Sequence, residues 1–310
     1  MHIHGMNLPW IDGQYDHDIG RNPFHTTSGS SYSSSRTAGL LADIKFMGAN
    51  VMRVWLFENQ EGLVLDVDGS VIRLDPLFLA NLDDLIRTAE RNGLYLYFTF
   101  VNYLDIDPGT VMDSTRRSAY LTNALTPIVG RYLGKSIIFA YEVGNELQYI
   151  VGTHSITWSN LRRYVADTTS AIKAVEPKRL VGSSTTWDIA QAGNTLGLGL
   201  DFYDVHVYGD TWNPSGTGSP GYASELGLDK PVLIGEFGQG TTTKQDDDLQ
   251  VNVVNQYQTN GRKLGYAGVV AWAYGGASDT GPHVFTHPDG TWRPAAFTFQ
   301  SFTVDTESMQ

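Results

Sequence analysis

The 310-residue sequence has no cysteine, which excludes disulfides, thiolate zinc sites and thiol nucleophiles together. It has no apolar run near the ~18 residues that a membrane span requires. The best candidate, Leu94 to Val101, is only of strand length. It has no cluster of Lys or Arg. Against 33 acidic residues stand 21 basic ones, a net charge of −12, so phosphate backbones are repelled and neither nucleic acid nor a membrane is an expected partner. No basic-then-apolar leader follows Met1, which runs straight into His2-Ile3-His4. Localisation is left open, with secretion expected only if a native leader has been removed. Heptads, collagen periods and solenoid repeats are absent too.

What is present is a chain 41% hydrophobic and 17% charged, too apolar for disorder and long enough for a large core. Apolar runs of strand length alternate with helix-like segments from end to end. The strand runs are Ile3–Leu8, Asn50–Leu56, Leu94–Val101, Ile137–Val143, Leu180–Ser184, Phe202–Val207, Val232–Glu236 and Gly268–Tyr274. Helical patterns lie at Thr37–Met47, Pro76–Asn92, Ser114–Leu133, Thr157–Val175 and Asp246–Leu264, with weaker segments at Gln191–Leu198 and Tyr222–Leu226. Eight such units predict a single (β/α)8 TIM barrel of the α/β class. A doubly wound sheet would want a Gly-rich phosphate turn early. The first connection, Pro9 to Ser35, is long and Ser-rich and carries none. The chain is therefore expected to be one catalytic domain over 1–310, with a loose tail at about 301–310.

In such a barrel, chemistry sits at the C-terminal ends of the strands. The polar residues there are Arg53, then Asn102 and Tyr103, then Asn145 and Glu146, then Thr185, Trp187 and Asp188, then His206 and Tyr208, then Glu236, and last Trp272 and Tyr274. Glu146 and Glu236 each close an apolar strand. A single glutamate there reads as a solvent-facing charge, since Glu is depleted from interiors. Two of them ringed by Asn, His, Tyr, Arg and Trp fit glycoside hydrolysis, which needs one protonated and one ionised carboxyl. Arg53 supplies positive charge to keep one ionised. Glu142 is expected to point into the layer between barrel and helices or into a salt bridge.

At this point the sequence resembles a known family. Gly144-Asn145-Glu146 and Gly235-Glu236-Phe237-Gly238 look like the paired signatures of the 4/7 superfamily of retaining glycoside hydrolases, clan A. Within it the chain is most similar to glycoside hydrolase family 5, the cellulase and β-mannanase family, from Gly5-Met6-Asn7 to Trp272. The resemblance implies that Glu146 is the general acid/base and Glu236 the nucleophile. It implies that Asn145 binds the sugar 2-hydroxyl and that Arg53 and Tyr208 hold Glu236. His206 would line the same site and Trp272 would floor it. The family commonly has a histidine where this chain has Asn102, which leaves the two-carboxylate machinery intact and the subfamily open.

The implied partner is a β-linked oligo- or polysaccharide, most simply a β-1,4-linked mannan or glucan. The Tyr141–Glu146 stretch reads closer to the mannanase branch, and exo action on short oligosaccharides is the alternative. A monomer with no cofactor and no metal is expected. Rivals of another class are a metal-dependent barrel hydrolase and a non-catalytic sugar-binding barrel. His2 and His4 suggest a metal pair, but they lie at the stability face of the barrel. Asp105 and Asp107 lack the glycine and distal glutamate of a calcium loop and read as solvated turns. Asp246-Asp247-Asp248 reads as a helix start. Trp10, Trp55, Tyr103, Trp158, Trp187 and Trp212 are candidate stacking surfaces near the mouth, although aromatics fill cores as readily. His283 and His287 flank the last long loop, where a loop role and a sugar contact remain equal.

Overall fold

The computed structural model describes residues 2–25, 29–186, 189–209, 212, 221–239, 246–275, 283–287 and 289–302. Its centre is a parallel (β/α)8 barrel. The strands are β1 (Ile3–Asn7), β2 (Val51–Trp55), β3 (Tyr95–Thr99), β4 (Ile138–Glu142), β5 in two pieces (Leu180–Gly182 and Ser184–Thr186), β6 (Tyr203–Tyr208), β7 (Val232–Gly238) and β8 (Gly268–Ala271). All the expected strands form, with ends displaced by a few residues. The exception to continuity is β5. Its first piece pairs with β4 and its second with β6. The Gly182 carbonyl accepts from Val143 N–H and the Ser183 carbonyl from Asp204 N–H, so the ring closes across one residue.

Helix ends follow local chemistry. The helix Pro76–Asn92 matches expectation because Asp75 caps it, Pro76 occupies the first turn, and Gly93 stops it in the left-handed region. The run expected as one helix over Ser114–Leu133 is interrupted. It forms as Ser114–Tyr120, a π-turn at Leu121–Leu125 and Thr126–Arg131. Pro127 has no N–H for the carbonyl four residues back, and the ladder widens just before it. Elements that escaped the periodicity include an antiparallel hairpin, Leu63–Leu65 with Val71–Leu74, and the helices Pro108–Met112 and Pro294–Gln300.

Two apolar layers hold the barrel. One lies between strands and helices. The other plugs the barrel floor with Ile3, Val51, Tyr97, Ala140, Phe202, Leu233 and Val270. Each full burial of a large apolar side chain is worth roughly 1.5–3 kcal/mol. Above this plug the two-residue period of each strand places polar side chains on the same inner face. Val51 leads to Arg53, Ala140 to Glu142, and Phe202 to Asp204, His206 and Tyr208. Strand β7 departs from strict alternation. Its register on β6 shifts between Ile234 and Glu236, a bulge at Gly235. Without that extra residue Glu236 would share the outward face of Ile234; the bulge re-aims it inward.

Candidate active site

Arg53 organises the barrel interior. It is fully buried, and each of its five N–H groups has an acceptor. Nε and Nη2 grip the Glu142 carboxylate at 2.8 and 3.1 Å. Nη1 reaches Asn7 Oδ1 at 3.0 Å and Glu236 Oε1 at 2.7 Å. Nη2 also reaches Asn145 Oδ1 at 2.8 Å. Burial alone would push the guanidinium pKa down, but Glu142 and Glu236 raise it well above its ordinary value. Glu142 feels burial pushing it up, yet Arg53 beside it holds it below the usual carboxylate range.

This corrects the placement of Glu142. It makes the expected salt bridge, but inside the barrel and not in the helix layer, because it shares the inner face with Ala140.

Glu236 and Glu146 face each other. A carboxylate oxygen of each and a ring nitrogen of His206 all lie within 4.8 Å of one another. Tyr208 OH donates to Glu236 Oε2 at 2.7 Å. His206 Nδ1 lies 2.7 Å from Glu146 Oε1 and 3.4 Å from Glu236 Oε1. Burial raises the Glu236 pKa above its ordinary value, and Glu146 adds to that, while His206, Arg53 and Tyr208 draw it back. The neighbours at hydrogen-bond distance from its oxygens are donors, which favour the ionised form. Two carboxylates and an imidazole are also a donor set for a cation. Here the Arg53 guanidinium already stands against Glu236, a fixed positive charge that a metal ion would have to face.

Glu146 sits just past β4 in the left-handed region, at φ 50, with its N–H held by Ser184 Oγ at 3.0 Å. Before it, Asn145 pairs with Asn102 as a short parallel bridge that extends β3 and β4. Asn145 Nδ2 donates to Asn102 Oδ1 at 3.1 Å. With its Oδ1 on Arg53, the Asn145 amide has one fixed orientation and a second N–H to offer.

Above these groups opens a cleft of about 420 Å³. Asn102, Tyr103, Asn145, Glu146, Tyr208, Glu236 and Trp272, all candidates from the sequence, line it. Arg53 and His206 lie behind the carboxylates and are wholly buried. Trp187 and Asp188 fall outside the described residues. Trp10 and Trp55 join Trp272 in a wall of three indoles, with ring centroids 5.7 to 6.1 Å apart. Glu58, buried beneath, takes the Trp10 Nε1–H at 2.6 Å. Tyr149 and His283 also line the cleft. Tyr149 was missed, although its position three residues after Glu146 was a usable signal. His283, left undecided between two roles, faces the site.

Other candidates resolve differently. Trp158 packs on the helix-side core, and Trp212 stacks edge-on against Tyr257 and Tyr266. His4 is buried against Phe299 and bonded to Gln258, and burial lowers its pKa to about 4. Asp105 lies in a turn, as expected, but is half-buried there and accepts from Tyr15 OH at 2.7 Å. Asp107 and Asp246 cap helices.

Known proteins share this architecture. The sequence model of the family described as Cellulase (glycosyl hydrolase family 5) matches residues 15–278. A mannan endo-1,4-beta-mannosidase of Mytilus edulis is 24% identical over 76% of this chain and 76% of its own. Mannan endo-1,4-beta-mannosidase A of Podospora anserina is 26% identical over 90% of this chain and 83% of its own. Among solved structures, the beta-1,4-D-mannanase of Cryptopygus antarcticus superposes with a TM-score of 0.77 at 20% identity, covering 98% of this chain and 91% of that one. The beta-mannanase of the blue mussel Mytilus edulis gives 0.76 at 21% identity, covering 99% and 93%.

Proposed function

The chain belongs to glycosyl hydrolase family 5, and we propose that within it the enzyme cleaves β-1,4-mannan internally, with Glu236 as nucleophile and Glu146 as acid/base. The chain is a retaining β-glycoside hydrolase, and the two-glutamate mechanism is general for its family. The observation that supports the pair acting on one sugar is their closeness, with one oxygen of each carboxylate within 4.8 Å of one of the other. Retention works with carboxyls ~5–5.5 Å apart, whereas inversion needs ~6.5–9.5 Å to admit a water. Glu236 takes the nucleophile role because Arg53 and Tyr208 each donate to one of its oxygens, favouring the anion.

In the first step a Glu236 oxygen bonds to the anomeric carbon. Glu146 gives its proton to the departing glycosidic oxygen, and the C–O bond breaks. In the second step Glu146 takes a proton from water, whose oxygen displaces Glu236 from the same carbon. The free N–H of Asn145 is placed for the 2-hydroxyl, and the Trp272 face for the apolar side of the ring.

Mannan is favoured by the names of the relatives. Internal cleavage is favoured by the cleft, which runs past Tyr103, Leu104 and Tyr149 into a second hollow lined by Phe24, Asp107 and His154. A chain end need not stop there. The test is a panel of purified β-linked polysaccharides scored by product size. Mannan should lose viscosity early and yield mixed short oligosaccharides. Release of mannose alone would overturn internal action, and preference for β-1,4-glucan would overturn the substrate.

A further inference from the structure

Asp204 lies on β6 two residues before His206, wholly buried beneath the glutamate pair. A buried carboxylate is costly unless a cation or donors compensate it. Tyr97 OH donates to its Oδ2 at 2.9 Å. Arg53 cannot serve the other oxygen, because its five N–H groups end on Asn7, Glu142, Asn145 and Glu236. Asp204 Oδ1 has no hydrogen bond, and neither does His206 Nε2. These two buried atoms stand 3.7 Å apart. Room for the carboxylate is left by Gly235, since a Cβ there would collide with it. The bulge that turns Glu236 inward thus also seats Asp204.

We propose that Asp204 is a positioning residue: it holds a proton on His206 Nε2, so that His206 presents a charged Nδ1–H to the gap between Glu146 and Glu236. A neutral ring protonated only on Nε2 would turn an acceptor toward Glu146 and compete for the proton that the leaving oxygen needs. A neutral ring protonated only on Nδ1 would leave Asp204 facing a lone pair. The imidazolium satisfies both ends.

The groups that close around this pair are Glu142 and Glu146 from β4 and its loop, Glu236 from β7, Arg53 from β2, Tyr97 from β3 and Tyr208 from β6. Burial pulls the His206 pKa down, yet Glu236, Glu146 and Asp204 raise it to about 9. Burial and Glu142 raise the Asp204 pKa to about 7, against His206 and Arg53. Carboxylate and imidazolium therefore support each other's charge, and Asp204→Asn imitates the form in which the carboxyl is protonated.

For its effect on rate, the inference rests on the roles proposed for Glu146 and Glu236. For the state of the ring it does not. The test follows the ring 15N shifts of histidine-labelled enzyme from pH 5.5 to 10, with His206 assigned by loss of its signals in His206→Gln. The wild-type ring should stay doubly protonated past pH 8. In Asp204→Asn the second proton should leave about one pH unit lower or more, and the alkaline limb of kcat/KM should move with it while the acid limb stays. Asp204→Thr, uncharged and of similar bulk, serves if the Asn variant does not fold. A neutral His206 at pH 7 in the wild type, or an unmoved titration in the variant, overturns the proposal. A moved titration with an unmoved activity limb overturns the coupling to Glu146 and leaves the Asp204–His206 relation standing.

Discussion

Arg53 and Glu236 meet at 2.7 Å between Nη1 and Oε1, with the guanidinium shut off from solvent. The same guanidinium grips Glu142 through two further bonds. One cation therefore balances two buried carboxylates from opposite sides of the barrel. A lysine keeps the charge but not the fork. Arg53→Lys should destabilise the protein by roughly 3–5 kcal/mol, since one carboxylate loses its partner. It should also lower kcat by at least ~100-fold, as the loss of preorganised charge does elsewhere. Denaturant unfolding and kcat on a soluble substrate check the two parts. A Lys variant with native kcat would show that Glu236 does not depend on this contact.

The long first connection is tied down by acids. Glu61 Oε1 accepts the Ile19 N–H at 2.6 Å and the Gly20 N–H, and Asp18 Oδ2 accepts the Ile11 N–H at 2.6 Å. Burial raises Asp18 to about 7 and Glu61 well above its ordinary value, and the two side chains are bonded to each other. A carboxyl whose folded pKa is raised stabilises below its unfolded value, and that stability is lost as pH climbs to the folded value. For Asp18 that loss falls between pH ~4 and ~7. Asp18→Asn has no such proton to lose. Its melting temperature should fall less than the wild type's between pH 5 and 8. Parallel curves would show that this pair does not govern the loop.

Much of the site was legible because strand ends announce themselves. Arg53 in an otherwise apolar strand had to find a partner, and Glu146 and Glu236 each closed an apolar run. What stayed hidden depended on contacts between distant strands. Glu142 could be read only as facing the helix layer or a salt bridge, because alternation fixes which residues share a face, not which face is inside. The break at Ser183 and the bulge at Gly235 are single-residue events that hydrophobic period cannot register. Nothing in the strand run Phe202–Val207 singled out Asp204; the missing side chain of Gly235 and the filled donors of Arg53 give it its place. Trp10 is legible as an aromatic, but its hold by Glu58 spans 48 positions of sequence.

Trp272 stands between Ala271 and Ala273, and its half-buried indole lines the cleft with Trp10 and Trp55 against it. Its neighbours being small, the ring has space to present a face to a pyranose. Trp272→Ala should weaken substrate binding by ~1–3 kcal/mol, the scale of one lost aromatic contact. The effect should appear in inhibition by a non-hydrolysed oligosaccharide as well as in kcat/KM. A variant that folds normally with both values unchanged would remove Trp272 from the site.

The two glutamates should fail in different ways. Glu236→Ala removes the nucleophile, so no glycosyl-enzyme forms with any leaving group. Glu146→Ala removes the proton donor, which matters most when the leaving oxygen is basic. An activated aryl glycoside needs little protonation, so Glu146→Ala should still form the intermediate from it. Hydrolysis of that intermediate should then be slow, because the same residue activates water. Azide needs no base. In Glu146→Ala it should attack the intermediate and give the β-glycosyl azide, whereas in Glu236→Ala it should enter from the opposite face of the substrate and give the α-anomer. NMR of the products reads the difference. The reverse pattern would exchange the two roles, and undiminished hydrolysis in both variants would move the chemistry to other residues.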